Sequence, residues 1–245
     1  MSGRAALVAL ALVAGGVPAR ERQSAPPVVL WAWERREDLG FVDPARVAVA
    51  ALAGTVRLVD DEVGVRPRRQ PLAVPVGTRV TPVVRVEMDR QRPPVLSARQ
   101  RTDSSNAIRA LVAGWQADAL QVDFDAPRSA RPFYRALLGD LRARLPPATR
   151  LSITALASWC ADDDWLDGLP VDEVVPMLFR MGSGGNAIRA RGALPSPHCR
   201  TALGLAVDEP ALPVGQGQRL YVFDPKPWSV DGYARALTLA RGIGP

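Results

Sequence analysis

Eight short apolar segments recur along the chain, separated by turn residues or by stretches with helical spacing. Most are nearly continuous apolar runs, which is typical of parallel strands covered by helices. The eight predicted strands are VVLWAWE (28–34), VAVAAL (47–52), RVTPVVRVEM (79–88), ALQVDFD (119–125), LSITALAS (151–158), EVVPMLF (173–179), TALGLAV (201–207) and RLYVFD (219–224).

Apolar residues at three- and four-residue spacing lie between several of these strands. This spacing predicts long helices over 103–117, 129–145 and 229–241, and shorter ones at 163–168 and 185–193. Eight strands alternating with helices predict an α/β protein with a (β/α)₈ TIM barrel fold. An open doubly wound sheet is the alternative, although no glycine-rich phosphate loop follows any strand.

Two connections depart from the regular alternation of strand and helix. Residues 55–78 lack a helical period and are predicted to form an extra hairpin after the second strand. Residues 209–218 contain no predicted helix. We therefore expect an irregular barrel.

The N-terminal segment has the pattern of a secretory signal. Arg4 precedes an apolar run that ends in VPA at 17–19, and this run is too short for a comfortable membrane span. We expect an exported protein, either periplasmic or secreted, with no other membrane contact. An uncleaved N-terminal anchor is the alternative. The predicted organisation is a signal peptide (1–19), a linker (20–27) and a single barrel domain (28–245).

The net charge does not indicate a nucleic-acid partner. The 245 residues include 31 Lys and Arg against 25 Asp and Glu, a formal charge of +6, but Lys226 is the only lysine and the arginines are scattered. A nucleic-acid footprint would be a stripe or patch, ideally with aromatic residues between the charges. His198 is the only histidine, so a multi-histidine zinc site and an ordinary Ser-His-Asp triad lack parts. No metal and no cofactor are predicted.

The chain contains two cysteines, Cys160 and Cys199. An exported protein can keep a disulfide. The predicted strands place Cys160 at the carboxyl end of the barrel and Cys199 at the opposite end, which argues against a bond unless loops bring them together. The sequence leaves this pairing open.

Carboxylates lie on the polar face of the fourth predicted strand. Side chains alternate across a strand, so Gln121, Asp123 and Asp125 share the face opposite its apolar residues. The same alternation sends Arg85 and Glu87 of the third strand into the barrel. Asp125 falls at the carboxyl end of its strand, where barrel enzymes place their active sites. An ion pair of Arg85 with Asp123 that only fixes the barrel interior is the structural alternative.

Aromatic residues gather at the same predicted end of the barrel. Flat apolar rings beside carboxylates suit a sugar, which presents both a C–H face and hydroxyl groups. We therefore predict a carbohydrate as the partner, contacted by side chains at the strand ends. The predicted substrate-binding residues are Trp33, Glu34, Arg85, Trp159, Arg180, Asp224 and Trp228.

Several stretches resemble an uncharacterised exported bacterial family, one of the domains of unknown function. The matching text is VVLWAWERREDL, LQVDFDAP, YRALLGDLRARLP, LSITALASWC and VVPMLFRMG, with DEP and YVFDPKPW further on. The resemblance spans nearly the whole chain after the signal segment. It implies export but no particular activity.

More distantly, the fourth strand is similar to that of family 18 glycoside hydrolases, the chitinase-like barrels. Asp123 and Asp125 match the two aspartates of that family's D-x-D-x-E motif, while Pro127 stands where the glutamate acid would be. Met177 and Phe179 resemble its strand-six Met-x-Tyr, and Arg180 replaces the partner acid. The resemblance implies a barrel that acts on a polysaccharide, with another carboxylate supplying the proton, or one that binds glycans without cleaving them.

These residues lead to a hypothesis of a glycoside-hydrolase-like enzyme. A glycosidase needs one protonated and one ionised carboxyl group, and Asp125 and Glu87 are the predicted pair. The carboxyl further from Arg85 is expected to keep its proton better, and Asp123 to orient its neighbour. The alternative is a glycan-binding or scaffold barrel without catalysis. The sugar, the linkage and the oligomeric state stay open.

Overall fold

The eight predicted strands all form and pair in chain order. The computed structural model describes residues 26–161, 163–191, 194–210, 212 and 215–242. The strands are β1 (Val28–Ala32), β2 (Glu37–Asp38), β3 (Val47–Val59), β4 (Glu62–Pro67), β5 (Leu72–Ala73), β6 (Val80–Met88), β7 (Ala119–Asp123), β8 (Arg150–Leu156), β9 (Glu173–Met177), β10 (Ala202–Ala206) and β11 (Arg219–Phe223). The helices are α1 (Ala98–Val112), α2 (Arg131–Arg144), α3 (Ala157–Ala161), α4 (Gly185–Ala190) and α5 (Val230–Leu239).

The barrel is closed by β1, which pairs in parallel with both β11 and β3. The remaining barrel strands follow in the order β3, β6, β7, β8, β9, β10 and β11, each parallel to its neighbour. The predicted (β/α)₈ barrel is therefore confirmed, and the open doubly wound sheet is wrong. A separate two-stranded ribbon, β2 with β5, lies in the loops.

The helices follow the prediction with two main differences. The helix predicted at 103–117 is α1 and begins five residues earlier, because the Ser97 side chain caps it by accepting the Gln100 N–H. Residues 163–168 are not helical in the part that is described, and the helix after β8 is α3. No helix was predicted at 33–46, and none forms there.

The hairpin predicted at 55–78 arises because β3, with 13 residues, is longer than the barrel needs and continues beyond it. Its second half pairs antiparallel with β4 and in parallel with β6. A register shift between Leu52 and Gly54 marks the point at which β3 leaves the barrel wall. We call the second half of β3 together with β4 the arm (residues 54–67).

Side-chain alternation separates the interior of the barrel from its outer layer. Leu30, Val84, Val122 and Ile153 pack outward in the clusters that the helices and loops cover. The interior contains Trp31, whose indole N–H donates to the Gln121 side chain at 2.7 Å. The other buried members of the apolar cluster in the interior are Val29, Ala48, Ala50, Val83, Val175, Ala202 and Tyr221. The predicted inward direction of Gln121, Asp123, Arg85 and Glu87 is confirmed by this parity.

Cys160 and Cys199 form a disulfide bond, and their Cα atoms are 5.9 Å apart. The expectation that opposite ends of the barrel would keep them apart is wrong. Cys160 lies in α3, which turns away from the carboxyl end immediately after β8, and the segment before β10 lies against it. In that segment the Ser196 N–H donates to the Cys160 carbonyl at 3.1 Å.

Candidate functional site

An open groove crosses the end of the barrel at which the parallel strands terminate, the usual position of barrel active sites. Two cavities of about 740 and 930 Å³ form its two halves. Arg85, Asp123 and Asp125 line both halves. The predicted carboxylates therefore lie in the middle of the groove.

The centre of the groove is an ionic cluster built on β6, β7 and β8. The Arg85 Nε lies 3.1 Å from Glu87 Oε1 and 3.9 Å from Asp123 Oδ2. Thr154 donates its hydroxyl to Asp123 Oδ1 at 2.6 Å. Asp125 follows β7 by two residues and has no ion pair among the described residues. In this cluster Glu87 is paired with Arg85, Asp123 is buried and Asp125 is open to solvent.

Two of these carboxyl groups have raised pKa values. Burial, helped by the nearby charge of Asp125, raises the pKa of Asp123 to about 6, although Thr154 and Arg85 act in the opposite direction. Asp125 is open to solvent on one side, yet loss of hydration inside the groove raises its pKa above the ordinary value, partly offset by Arg85. A carboxyl group that keeps its proton closer to neutral pH can serve as a general acid.

The half of the groove that lies over β1, β9 and β11 is apolar and aromatic. The rings of Phe179 and Phe223 stack with centroids 5.2 Å apart and an interplanar angle of 13°. Half-buried Trp33 lines the same wall, and the Arg85 guanidinium lies 5.9 Å from the centroid of its ring. This half can offer ring faces to the C–H face of a sugar.

The other half of the groove is polar and rich in arginine. It runs along the arm and β6, and Arg57, Arg66 and Arg90 line it together with Asp89. Asp89 is nearly buried and accepts the backbone N–H groups of Gln91 and Arg92, which hold the pKa of its carboxyl below the usual range. Its other oxygen contacts the Arg57 guanidinium. Asp89 therefore neutralises only Arg57.

Trp159 and Trp228 do not line the groove, which corrects their predicted role in binding substrate. Trp159 is 2% exposed, and its ring meets that of Trp165 edge-on within the outer core. Trp228 is 5% exposed and donates its indole N–H to the Trp31 carbonyl. Both rings are buried, because α3 and the loop before α5 place them in the core and not at the surface.

Three charged residues predicted to bind substrate hold loops. Glu34 accepts the backbone N–H groups of Arg69 and Gln70, and Asp224 is buried and accepts that of Lys226, so neither carboxylate faces the groove. Arg180 does line the aromatic half, but its guanidinium is paired at 2.6 Å with Asp208 and at 2.7 Å with Glu209. Of the predicted substrate-binding set, the groove contains Trp33, Arg85 and Arg180.

The sequence did not lead to Thr154 or to the arm arginines as site residues. Thr154 alternates with Ser152 on β8, so the period-two pattern could have placed it in the barrel beside Asp123. Arg66 carries no such signal, because its position depends on how the arm pairs.

Two other features bear on the kind of site. Within the described ranges, no group of three or more His, Cys, Asp or Glu residues is arranged to hold a metal ion. In the same part of the chain, no helix is long and apolar enough to cross a membrane.

The closed parallel barrel with a carboxylate-lined groove at the carboxyl ends of its strands belongs to the (β/α)₈ barrel class, with the groove in the usual position of that fold's sites. Residues 79–175, which include β6, β7 and β8, match the family described as "Domain of unknown function (DUF3142)". The predicted resemblance to such a family is thereby confirmed over this span. None of the curated proteins matches the chain.

Solved structures share the fold. A Streptomyces coelicolor protein assigned as chitinase A is 10% identical, with a TM-score of 0.57 over 89% of this chain and 98% of its own. A fungal endo-β-N-acetylglucosaminidase of glycosyl hydrolase family 18 is 14% identical, with a TM-score of 0.55 over 87% of this chain and 97% of its own. These likenesses confirm the chitinase-like barrel as a fold.

Proposed function

We propose that the protein is a glycoside hydrolase that cleaves a polysaccharide lying along the groove. The observation that carries the proposal is the central cluster, in which Asp125 has a raised pKa while Glu87 is paired with Arg85. These are the two environments that a glycosidase needs, one for a proton donor and one for an ionised partner. The likeness to a chitinase and an endo-β-N-acetylglucosaminidase supports the substrate class.

In this mechanism Asp125 gives its proton to the leaving glycosidic oxygen. Glu87, held by Arg85, stabilises the positive charge that develops at the anomeric carbon or activates the attacking water. Asp123 is fixed by Thr154 and acts through its neighbour, because its burial leaves little room for contact with the sugar. Trp33, Phe179 and Phe223 position sugar rings on one side of the bond that breaks.

Pro127 favours the second candidate, a barrel that binds glycans without cleaving them. It occupies the position of the glutamate acid in the D-x-D-x-E motif and cannot donate a proton. The enzyme proposal therefore depends on Asp125 taking over this role. A binding protein would need the aromatic wall but not the raised pKa of Asp125.

The test is product analysis on a panel of polysaccharides with the full chain and three variants. Asp125→Asn should lower turnover about 1000-fold, the size expected for loss of a general acid, while the glycan is still bound. Asp103→Asn, on the exposed face of α1, is the matched control and should keep full activity. If bound glycans stay intact for days, and affinity is lost in Trp33→Ala but kept in Asp125→Asn, the protein is a binder.

We also propose that the enzyme acts outside the cytoplasm, on the strength of the signal-like pattern over 1–19. Those residues lie outside the described part of the chain. N-terminal sequencing of the protein from the producing cell's periplasm or medium should give a chain that begins after Ala19. A full-length chain retained in the cytoplasm would contradict this.

A further inference from the structure

The arginine-rich half of the groove is continuous with the candidate catalytic centre. Register partners in neighbouring strands share a face, and one such row runs from Arg66 on β4 through Thr55 and Arg85 to Asp123. Three strand spacings separate Arg66 from Asp123, roughly 14 Å. The arm therefore extends the groove by more than one sugar residue beyond the carboxylates.

Four arginines and four carboxylates line this wall, but they are not evenly paired. Three of the carboxylates, Glu87, Asp123 and Asp125, lie around Arg85, and the fourth, Asp89, contacts Arg57. Arg66 and Arg90 are exposed and make no ion pair with any described residue. Arg180, by contrast, is held by two carboxylates on the aromatic side. Among the described residues that line the groove, the guanidinium groups without a carboxylate partner thus lie on one wall only.

We propose that this wall binds the negatively charged substituents of an acidic polysaccharide, with Arg66 and Arg90 as the main contacts. This inference deepens the proposed function and rests on it for the position of the chain in the groove. A guanidinium offers paired N–H donors that match a carboxylate or sulfate group. The neutral rings of the same polymer would occupy the aromatic half.

The test measures binding of the full chain to two pairs of polymers that differ only in charge. Polygalacturonate is compared with its methyl ester, and dextran sulfate with dextran, so that carboxylate and sulfate recognition are distinguished. We expect at least one acidic polymer to bind more tightly than its neutral parent, and the difference to shrink as salt is added. The double variant Arg66→Gln/Arg90→Gln should lose about tenfold in affinity for that polymer.

Arg109→Gln, on the exposed outer face of α1, is the matched control and should leave affinity unchanged. The proposal is overturned if the neutral parents bind as tightly as the acidic polymers, or if the double variant keeps the preference. An oligothymidylate that binds as tightly as the glycans would also overturn it, because the wall would then recognise any polyanion.

Separate measurements of binding and of cleavage distinguish a failure of this inference from a failure of the proposed function. If an acidic polymer binds through Arg66 and Arg90 but is never cleaved, the binding role of the wall is supported and the proposed hydrolase activity is refuted. In the opposite case, the wild type and the double variant cleave a neutral polysaccharide equally well, and neither prefers acidic polymers. That result supports the hydrolase and refutes the binding of acidic polysaccharides by the arginine wall.

Discussion

Asp123 and Asp125 belong to the same stretch of chain, yet the fold gives them different surroundings. Asp123 ends β7, faces the barrel interior and is 5% exposed, with the Thr154 hydroxyl on one oxygen. Asp125 lies past the strand end and opens into the groove. The first is suited to hold position and the second to exchange a proton with a ligand.

The raised pKa of Asp123 predicts that stability depends on pH. Below the ordinary aspartate pKa of 3.8 the carboxyl is protonated in both folded and unfolded chains. As the pH rises to about 6, the unfolded chain releases this proton while the folded chain retains it. The folded state therefore loses about 3 kcal/mol from this residue across that range, and the loss is complete above the folded pKa.

Asp123→Asn should remove this contribution, because the amide stays neutral at every pH. The free energy of unfolding, measured with urea at pH 4, 5, 6 and 7, should then fall less with rising pH in the variant than in the wild type, on the order of the 3 kcal/mol above. Asp103→Asn, which changes an exposed aspartate, should follow the wild-type curve. Equal slopes for all three proteins would contradict the assignment.

At the scale of elements, the arm depends on a close approach at Gly54. A Cβ atom there would lie 2.7 Å from Leu111 Cδ2, 2.8 Å from the Arg66 carbonyl oxygen and 3.1 Å from Pro67 Cα. Two of these are backbone atoms of β4, so a side chain at this position must push the two strands of the arm apart.

Gly54→Ala should therefore destabilise the protein by about 1–3 kcal/mol, the usual cost of overpacking, and loosen β4. Gly64→Ala is the matched control on the same arm, since the nearest atom to its Cβ is 3.7 Å away. Urea unfolding combined with amide hydrogen exchange of residues 62–67 measures both effects. Faster exchange in Gly64→Ala than in Gly54→Ala would show that the packing at Gly54 does not hold the arm.

Some helix ends could be predicted from the local sequence alone, and others could not. The end of α2 and the start of α5 fall within one residue of the prediction, because their apolar stripes coincide with the helices. The first turn of α1 was missed, since it carries polar residues that give no apolar period and is fixed by the Ser97 cap. The helix after β8 was misplaced because its apolar residues continue the strand pattern.

At the scale of the whole molecule, one end of the barrel forms the groove and the other end contains a buried ionic network. At the end opposite the groove, buried Glu173 accepts the Tyr221 hydroxyl at 2.7 Å and lies 3.2 Å from Arg219 Nη1 and 3.8 Å from Arg150 Nη2. This network joins β8, β9 and β11 across the floor of the barrel. It contributes to stability and lies at the other end of the barrel from the groove.

Glu173→Ala should lower the free energy of unfolding by about 3–5 kcal/mol, because it leaves Arg219 and Tyr221 without their buried partner. The affinity of the groove for its glycan should not change at temperatures where the variant is folded. Urea unfolding and glycan titration of the same preparation provide both measurements, with Asp103→Ala as the surface control. A loss of affinity without a loss of stability would reverse the assignment of the two ends.

The sequence by itself determined the eight strands, their order and the inward direction of Arg85, Glu87 and Asp123. It could do so because alternation along a strand is a local property that survives any arrangement of its neighbours. Asp125 could be placed at the carboxyl end of the barrel for the same reason.

Only the tertiary structure decided which residues meet across the loops. It buried Trp159 and Trp228, paired Cys160 with Cys199, and laid the arm beside the carboxylates so that Arg66 shares a row with Arg85. These contacts join residues far apart in the chain, and their geometry depends on the path of loops and on a register shift in β3. No local period records such a path, so the arginine wall becomes visible only in the folded protein.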